Sequence, residues 1–405
     1  MTELGFSEAR LRRIDAVLQE RYLDSGRLPC VQLTVTRHGE TAHAVSLGLR
    51  DVERGLPCAD DTIFRIYSMT KPVTSLALMM LWEEGAIALE DPVARYIPTW
   101  SDLGVYVSGV DGAYQTRPPE RPMQVVDLLR HTSGLTYGMH RLTNLDAEHR
   151  AMRLAEVGSD LDLEEAIAVL AGIPLEFSPG EAWNYSISTD VVGYLVQVVS
   201  GMPLQDFLRT RIFEPLKMID TGFEVRPGQE HRLAACYQAA PDGRFSLQDD
   251  PTVSPYLKPP RFYSGGGGLV STSADYLRFA HMLVRGGELD GARLVAPRTL
   301  KLMTANHLPG GGDLTRHARS IFSESTNAGI GFGLGFAVVV DPPQTLLPVS
   351  KGEFYWGGAA STAFWVDPVE EICVVLMTQL LPSWTWPIRR ELRTLIYSAL
   401  LHANA

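Results

Sequence analysis

The sequence predicts a mixed α/β chain of the α+β kind. One antiparallel sheet is built from N- and C-terminal segments and flanked by helices, with a mainly helical domain inserted between them. Two observations predict it. Strand-like patterns of β-branched and apolar residues occur near the N-terminus, at 31–37 and 42–49, and again near the C-terminus, at 363–367 and 372–377. The stretch between them carries apolar residues at helical spacing. A length of 405 residues suits about two domains. The division that follows is 1–66 with 285–405 for the sheet-bearing domain and 67–284 for the helical one, with an active site between them.

Each element has its own reason. Ser7 is placed to cap a first helix carrying Leu11, Ile14 and Leu18 on one face, and Gly26 ends it. His38-Gly39 joins the first two strands as a hairpin turn. Residues 62–67 are β-branched and aromatic and read as a short extended stretch. Val73, Leu76, Ala77, Met80 and Leu81 then recur at helical spacing, with Pro72 in the tolerant first turn and Gly85 at the end. Residues 104–122 are rich in Gly and Pro without a sustained period, and are expected to be a long surface excursion. Short helices follow at 125–130, 163–170 and 191–200, the last stopped by Gly201. Residues 227–268 read as loop and end in Ser264 and four glycines; 273–284 return to helix. Residues 329–340 read as one strand with a glycine-rich entry, and 387–401 as a helix carrying Ile388, Leu392, Leu395 and Ile396.

Composition excludes several classes. Lys and Arg number 36 against 47 Asp and Glu, a formal charge of −11, and no stretch concentrates basic residues with aromatics. Nucleic acid is therefore not expected as a partner. The four cysteines, Cys30, Cys58, Cys236 and Cys373, are scattered without a Cys-x-x-Cys pair and read as buried reduced thiols. The first residues lack the basic and apolar regions of a signal peptide, and the apolar run at 76–82 is too short to span a bilayer. A cytoplasmic protein with no membrane partner is expected. No His-Glu-x-x-His or comparable metal spacing occurs, and the glycine run at 264–268 lacks the lysine of a phosphate loop. No metal and no cofactor are expected.

The chemistry concentrates in Ser68-Met69-Thr70-Lys71. A serine hydroxyl is a poor nucleophile until a neighbouring base takes its proton. Residues three apart on a helix share a face, so Lys71 is placed beside Ser68 by local structure alone. The helix N-terminus offers free N–H groups and a favourable dipole to developing negative charge. Such a tetrapeptide also arises by chance, so three further stretches matter. Tyr185, just before an apolar helix, offers a phenol whose ionised form a nearby Lys71 would favour. It could share the Ser68 proton and return it to a leaving group. His131, in His131-Thr132-Ser133-Gly134-Leu135, could serve as a base but reads better as part of a positioning turn. Trp356-Gly357-Gly358 leads into the C-terminal strands, where glycines let a backbone approach a ligand and aim an N–H at an oxyanion.

Taken together and in this order, these stretches resemble the serine β-lactamase-like superfamily. The resemblance is to its class C branch and, within that, to the family VIII carboxylesterases. It includes Pro179-Gly180 ahead of Tyr185-Ser186 and the run from Gly266 to Asp275. It implies a β-lactamase-like fold, with Ser68 as the acylated nucleophile, Lys71 as its basic neighbour and Tyr185 as the tyrosine of the second motif. It further implies an oxyanion hole formed by the backbone N–H groups of Ser68 and Ala359. Two departures from the lactamase pattern bear on substrate. Ile187 stands where an asparagine is usual, and Trp356-Gly357-Gly358 replaces Lys-Thr-Gly. A carboxamide and a carboxylate-attracting cation are thereby lost, which favours an uncharged ester over a penicillin-like acid. No Gly-x-Ser-x-Gly elbow offers a competing esterase site.

The expected activity is hydrolysis of carboxylic esters of short to medium acyl chain through an acyl-enzyme on Ser68, with weak β-lactam hydrolysis as a side activity. The alternatives are a β-lactamase or amide hydrolase with the same machinery, an acyltransferase, and an inactive binding homologue. Expected pocket walls are Trp356, Gly357, Gly358, Tyr137, Phe177 and Trp183, with 104–122 and 309–330 bordering the site.

Overall fold

Eight strands form the main sheet of the computed structural model, which describes residues 4–110, 112–154, 158–319 and 327–404. They are β1 (Cys30–Arg37), β2 (Glu40–Asp51), β3 (Leu56–Pro57), β4 (Ile330–Phe332), β5 (Ala337–Val339), β6 (Phe354–Gly357), β7 (Ala363–Asp367) and β8 (Ile372–Met377). Their order is β4-β5-β6-β7-β8-β1-β2-β3, and every neighbouring pair is antiparallel. The two ends of the chain meet where β1 pairs β8, with Leu33 opposite Leu376 and Val35 opposite Val374. β8 is buried along its whole length and β1 nearly so, because helices cover both faces at the centre of the sheet.

The helices that frame it are α1 (Glu8–Val17), α2 (Thr70–Glu83), α3 (Ser188–Ser200), α4 (Ser273–Val284) and α5 (Ile388–Ser398). α1 packs on α5, bringing the two terminal helices together. α2 is buried around almost its whole circumference and packs on α3. The apolar residues of the sheet and of the helical layer belong to one continuous cluster.

Four expectations need correction. The segment 273–284 falls in the inserted helical part of the sequence-based division, yet α4 packs on β7, β8 and β1. Its buried side includes Tyr276 and Phe279, and the Tyr276 ring lies 5.0 Å from that of Phe364. The expected surface excursion at 104–122 contains a hairpin, Val105–Val110 paired with Ala113–Arg117. Most of its residues are solvent-exposed on both faces, so no apolar alternation marks it. The single strand expected at 329–340 is the β4–β5 hairpin, its turn helped by Gly335 at a φ of 97°. Ser7 precedes α1 in extended conformation, but its side chain makes no capping bond. The four cysteines are buried and unbridged. Among the described residues, no single helix is long and apolar enough to cross a membrane.

Candidate active site

The site begins at a short strand, Phe64–Arg65, paired with Val270–Ser271. It is anchored by the buried Arg65 guanidinium, which donates to Asp249 at 2.6 Å, the Ala234 carbonyl at 2.5 Å and Ser254 Oγ at 3.0 Å. The chain then turns sharply. Tyr67 adopts a φ of 42°, a left-handed conformation that costs a non-glycine residue energy and persists where its surroundings enforce it. A single 3-10 turn, Tyr67–Met69, runs into α2. Ser68 therefore stands at the head of a buried helix, where N–H groups have no intrahelical acceptor.

Lys71 follows one turn later and is buried. Its Nζ lies 3.4 Å from Ser68 Oγ and donates to the Gly266 carbonyl at 2.6 Å. The Tyr185 hydroxyl lies 2.6 Å from the same Oγ. Lys71 Nζ also stands 4.6 Å above the Tyr185 ring, so it faces both the phenol and the serine. The structure thus brings together Ser68, Lys71 and Tyr185, which are up to 117 residues apart.

Asp190 organises the other side of Lys71, and no sequence motif singles it out. It lies in the first turn of α3 and is fully buried. Its carboxylate accepts from Ser264 Oγ at 2.6 Å, from the Gly266 N–H at 3.0 Å and from the Tyr137 hydroxyl at 3.4 Å. Burial pushes its pKa up, while the nearby positive charge of Lys71 pulls it back down. Asp190 thereby fixes the peptide unit whose neighbour holds Lys71. A Cβ on Gly266 would sit 2.5 Å from Asp190 Oδ2, which accounts for a glycine there. The available signal was a carboxylate placed just ahead of the apolar stretch of a helix expected to be buried.

His131 is also buried, with its ring 5.1 Å from Tyr185, 5.9 Å from Trp183 and 5.5 Å from Phe332. Burial, and then the charge of Lys71, hold its pKa well below the ordinary histidine value. The imidazole is a neutral packing element, and its backbone carbonyl accepts from the Asn184 N–H at 2.9 Å. The turn at 131–135 therefore positions the tyrosine segment.

On the opposite wall, β6 ends beside the nucleophile turn. A Cβ on Gly358 would stand 2.4 Å from the Ile66 carbonyl oxygen, so only glycine lets the strand run this close. Ala359 follows and lines the cleft together with Ser68. Its N–H has no acceptor among the hydrogen bonds of the described residues. Two N–H groups on facing elements, beside a serine hydroxyl, form the kind of arrangement that stabilises a tetrahedral oxyanion.

The cleft holds about 170 Å³ and is walled by Trp183, Tyr185, Trp356, Gly357 and Gly358 near Ser68. Trp183 stacks nearly parallel to Tyr185 at 6.2 Å, and Trp356 lies 5.4 Å from it. Leu314, Ile330, Val339, Leu347 and Val349 add apolar wall that the sequence analysis did not name. Two expected walls do not line the cleft. Tyr137 is buried behind Tyr185, ring to ring at 5.4 Å, and bonds Asp190 instead. Phe177 is buried beneath the Arg319 guanidinium, because its turn packs against the backbone of Gly134. Among the described residues, the 105–117 hairpin contributes none to the lining, whereas Leu314, Asn327 and Ile330 of the 309–330 loop do. Residues 320–326 of that loop lie outside the described residues.

Comparison with known proteins agrees with this fold. The β-lactamase family model matches residues 14–398. Protein Rv1367c of Mycobacterium tuberculosis is 35% identical over 363 residues, covering 89% of this chain and 88% of that protein. Esterase EstB of Burkholderia gladioli is 30% identical over 405 residues, covering 95% of both. The solved structure of EstCE1, described as a hydrolase with promiscuous acyltransferase activity, superposes with a TM-score of 0.80 at 26% identity. That match covers 97% of this chain and 99% of EstCE1. With the fold, the serine at the helix head and these likenesses in agreement, the chain belongs to the β-lactamase family of serine hydrolases, in its family VIII esterase-like branch.

Proposed function

We propose that this protein hydrolyses uncharged carboxylic esters of short to medium acyl chain through an acyl-enzyme on Ser68. The observation that carries the reading is Ser68 Oγ lying 2.6 Å from the Tyr185 hydroxyl and 3.4 Å from Lys71 Nζ. Ser68 Oγ attacks the ester carbonyl while the Lys71/Tyr185 pair accepts its proton. The tetrahedral oxygen is held by the N–H groups of Ser68 and Ala359. The pair returns the proton to the departing alcohol, and water then cleaves the acyl-enzyme by the same steps.

The preference for an uncharged ester rests on two side chains. Ile187 stands, buried, where the lactamase pattern has an asparagine, so that carboxamide is absent. Trp356 puts an indole on the cleft wall at a position where a lysine would attract a carboxylate. The esterase named among the relatives supports the same assignment. The test is p-nitrophenyl butyrate hydrolysis by the wild type beside Ser68→Ala. Activity in the first and none in the second is expected, and full activity in Ser68→Ala would refute the assignment.

A second reading is transfer of the acyl group to an alcohol instead of water. It is favoured by the acyltransferase activity in the description of EstCE1 and by the largely apolar walls around Ser68, which suit an organic acceptor. An added alcohol that yields its ester, at the expense of free acid, would identify it. Comparing kcat/KM on the ester and on a cephalosporin separates both readings from a β-lactamase.

A further inference from the structure

We propose that Arg389 is a positioning residue for the oxyanion-binding N–H of Ala359, an inference that rests on the reading of Ser68 as an acylated nucleophile. Arg389 is the second residue of α5. Its Nη2 donates to two carbonyls of one turn, Gly358 and Thr362, each at 2.7 Å. The same turn is closed by the Gly358 N–H donating to the Thr362 carbonyl at 2.9 Å and the Ser361 N–H donating to the Gly358 carbonyl at 3.2 Å.

The argument follows from peptide geometry. The Gly358 carbonyl and the Ala359 N–H belong to one planar trans unit and point in opposite directions. Holding the carbonyl on a guanidinium therefore aims the N–H away from α5. A flipped peptide would present its N–H to a cation and leave the carbonyl without its charged donor, so the guanidinium selects one of two orientations. A positive charge on the carbonyl also polarises the unit and makes its N–H a stronger donor.

The two glycines of the Trp356-Gly357-Gly358 motif fit this role separately. A Cβ on Gly357 would lie 2.8 Å from the Arg389 guanidinium carbon, so glycine leaves room for the cation against the strand. A Cβ on Gly358 would collide with the Ile66 carbonyl on the side of the nucleophile turn. One glycine admits the anchor and the other admits the serine turn, with the oxyanion peptide between them.

The test compares wild type, Arg389→Met and Arg389→Lys on p-nitrophenyl butyrate, with the infrared carbonyl band of the trapped acyl-enzyme as a second readout. Arg389→Met should lose about 10- to 100-fold in kcat with KM within about threefold, short of the loss for deleting a donor outright. Its acyl-enzyme band should move to higher wavenumber, because a looser N–H polarises the carbonyl less. Arg389→Lys, which keeps the charge but not the fork, should recover part of both effects. Unchanged kcat and an unchanged band in Arg389→Met, with Ser68 still acylated, would overturn the assignment alone. Should that variant fail to fold, Arg389→Lys decides: an intermediate kcat and band support the role, and a wild-type band overturns it. A wild type that no ester acylates would overturn the reading of Ser68 and this inference with it.

Discussion

The Tyr185 hydroxyl stands 2.6 Å from Ser68 Oγ, whereas Lys71 Nζ, at 3.4 Å from that atom, makes its shorter contact of 2.6 Å with the Gly266 carbonyl. Tyr185 is thus the nearer of the two groups to the serine hydroxyl, and the proposed mechanism has the pair share its proton. Groups that act as a unit do not contribute additively. Tyr185→Phe and Lys71→Met should each lower kcat/KM by about 10²- to 10⁴-fold. The double variant should be no worse than the poorer single one. Losses that multiply in the double variant would show two independent roles instead of one shared proton.

Asp190 sets activity against stability. Its folded pKa is raised by burial, so its carboxylate ionises less readily in the fold than in the unfolded chain. The sign is fixed by that direction: as pH rises from the unfolded value through the folded one, the unfolded chain gives up its proton first and stability falls. Asp190→Asn removes this charge yet keeps an oxygen that can accept from Ser264 and Gly266. Its Tm at pH 7 should equal or exceed that of the wild type, while kcat falls because Lys71 loses its balancing charge. A lower Tm with unchanged kcat would mean that Asp190 only supports the fold.

Much of this arrangement was legible in the sequence, and the reasons are local. Ser68 and Lys71 are three residues apart on a helix, so one turn of backbone puts them together. The strands near both termini carry a readable pattern because β1, β7 and β8 are buried and β2 is partly covered. What escaped the sequence depends on distant backbone. Lys71 is held by the carbonyl of a residue 195 positions away, and the Gly358 turn by an arginine 31 positions away. No side-chain pattern encodes a carbonyl acceptor. The 105–117 hairpin escaped because most of its residues are wet on both faces. Tyr137 and Phe177 sit next to the right motifs in sequence, but composition cannot tell which side of a turn an aromatic ring occupies. Gly357 and Gly358 were visible as glycines; their different neighbours, Arg389 and Ile66, were not.

The crowding at Gly358 gives a graded test of backbone against chemistry. A Cβ there would lie 2.2 Å from Thr362 Oγ1 and 2.4 Å from the Ile66 carbonyl. The second contact is with backbone and cannot be relieved by a rotamer change. Gly358→Ala should cost about 1–3 kcal/mol of stability, as overpacking does. It should also depress kcat more than that loss explains, by moving the Ala359 N–H. Gly85, at a φ of 72° with open space around it, is the control. Gly85→Ala should cost roughly 1–2 kcal/mol through its left-handed backbone alone and leave kcat unchanged. Equal effects on kcat would show that the β6 edge tolerates displacement.

Acid should unfold the protein through the histidines around the tyrosine segment. His131, His140 and His149 all have folded pKa values below the ordinary 6.5, burial being the largest cause in each, and that of His149 is pushed down to about 4. His140 Nε2 lies 2.5 Å from the Tyr185 carbonyl, and the His131 ring lies 5.1 Å from that of Tyr185. Below pH 6.5 the unfolded chain takes up protons that the fold refuses, so stability drops as pH falls. The His149 shift alone corresponds to about 3 kcal/mol once the pH is near its folded pKa. Thermal unfolding between pH 7.5 and 4.5 should therefore show a falling Tm, with a shallower fall in His149→Gln, whose amide does not titrate. Parallel curves for the two proteins would mean that His149 is protonated as easily inside the fold as outside it.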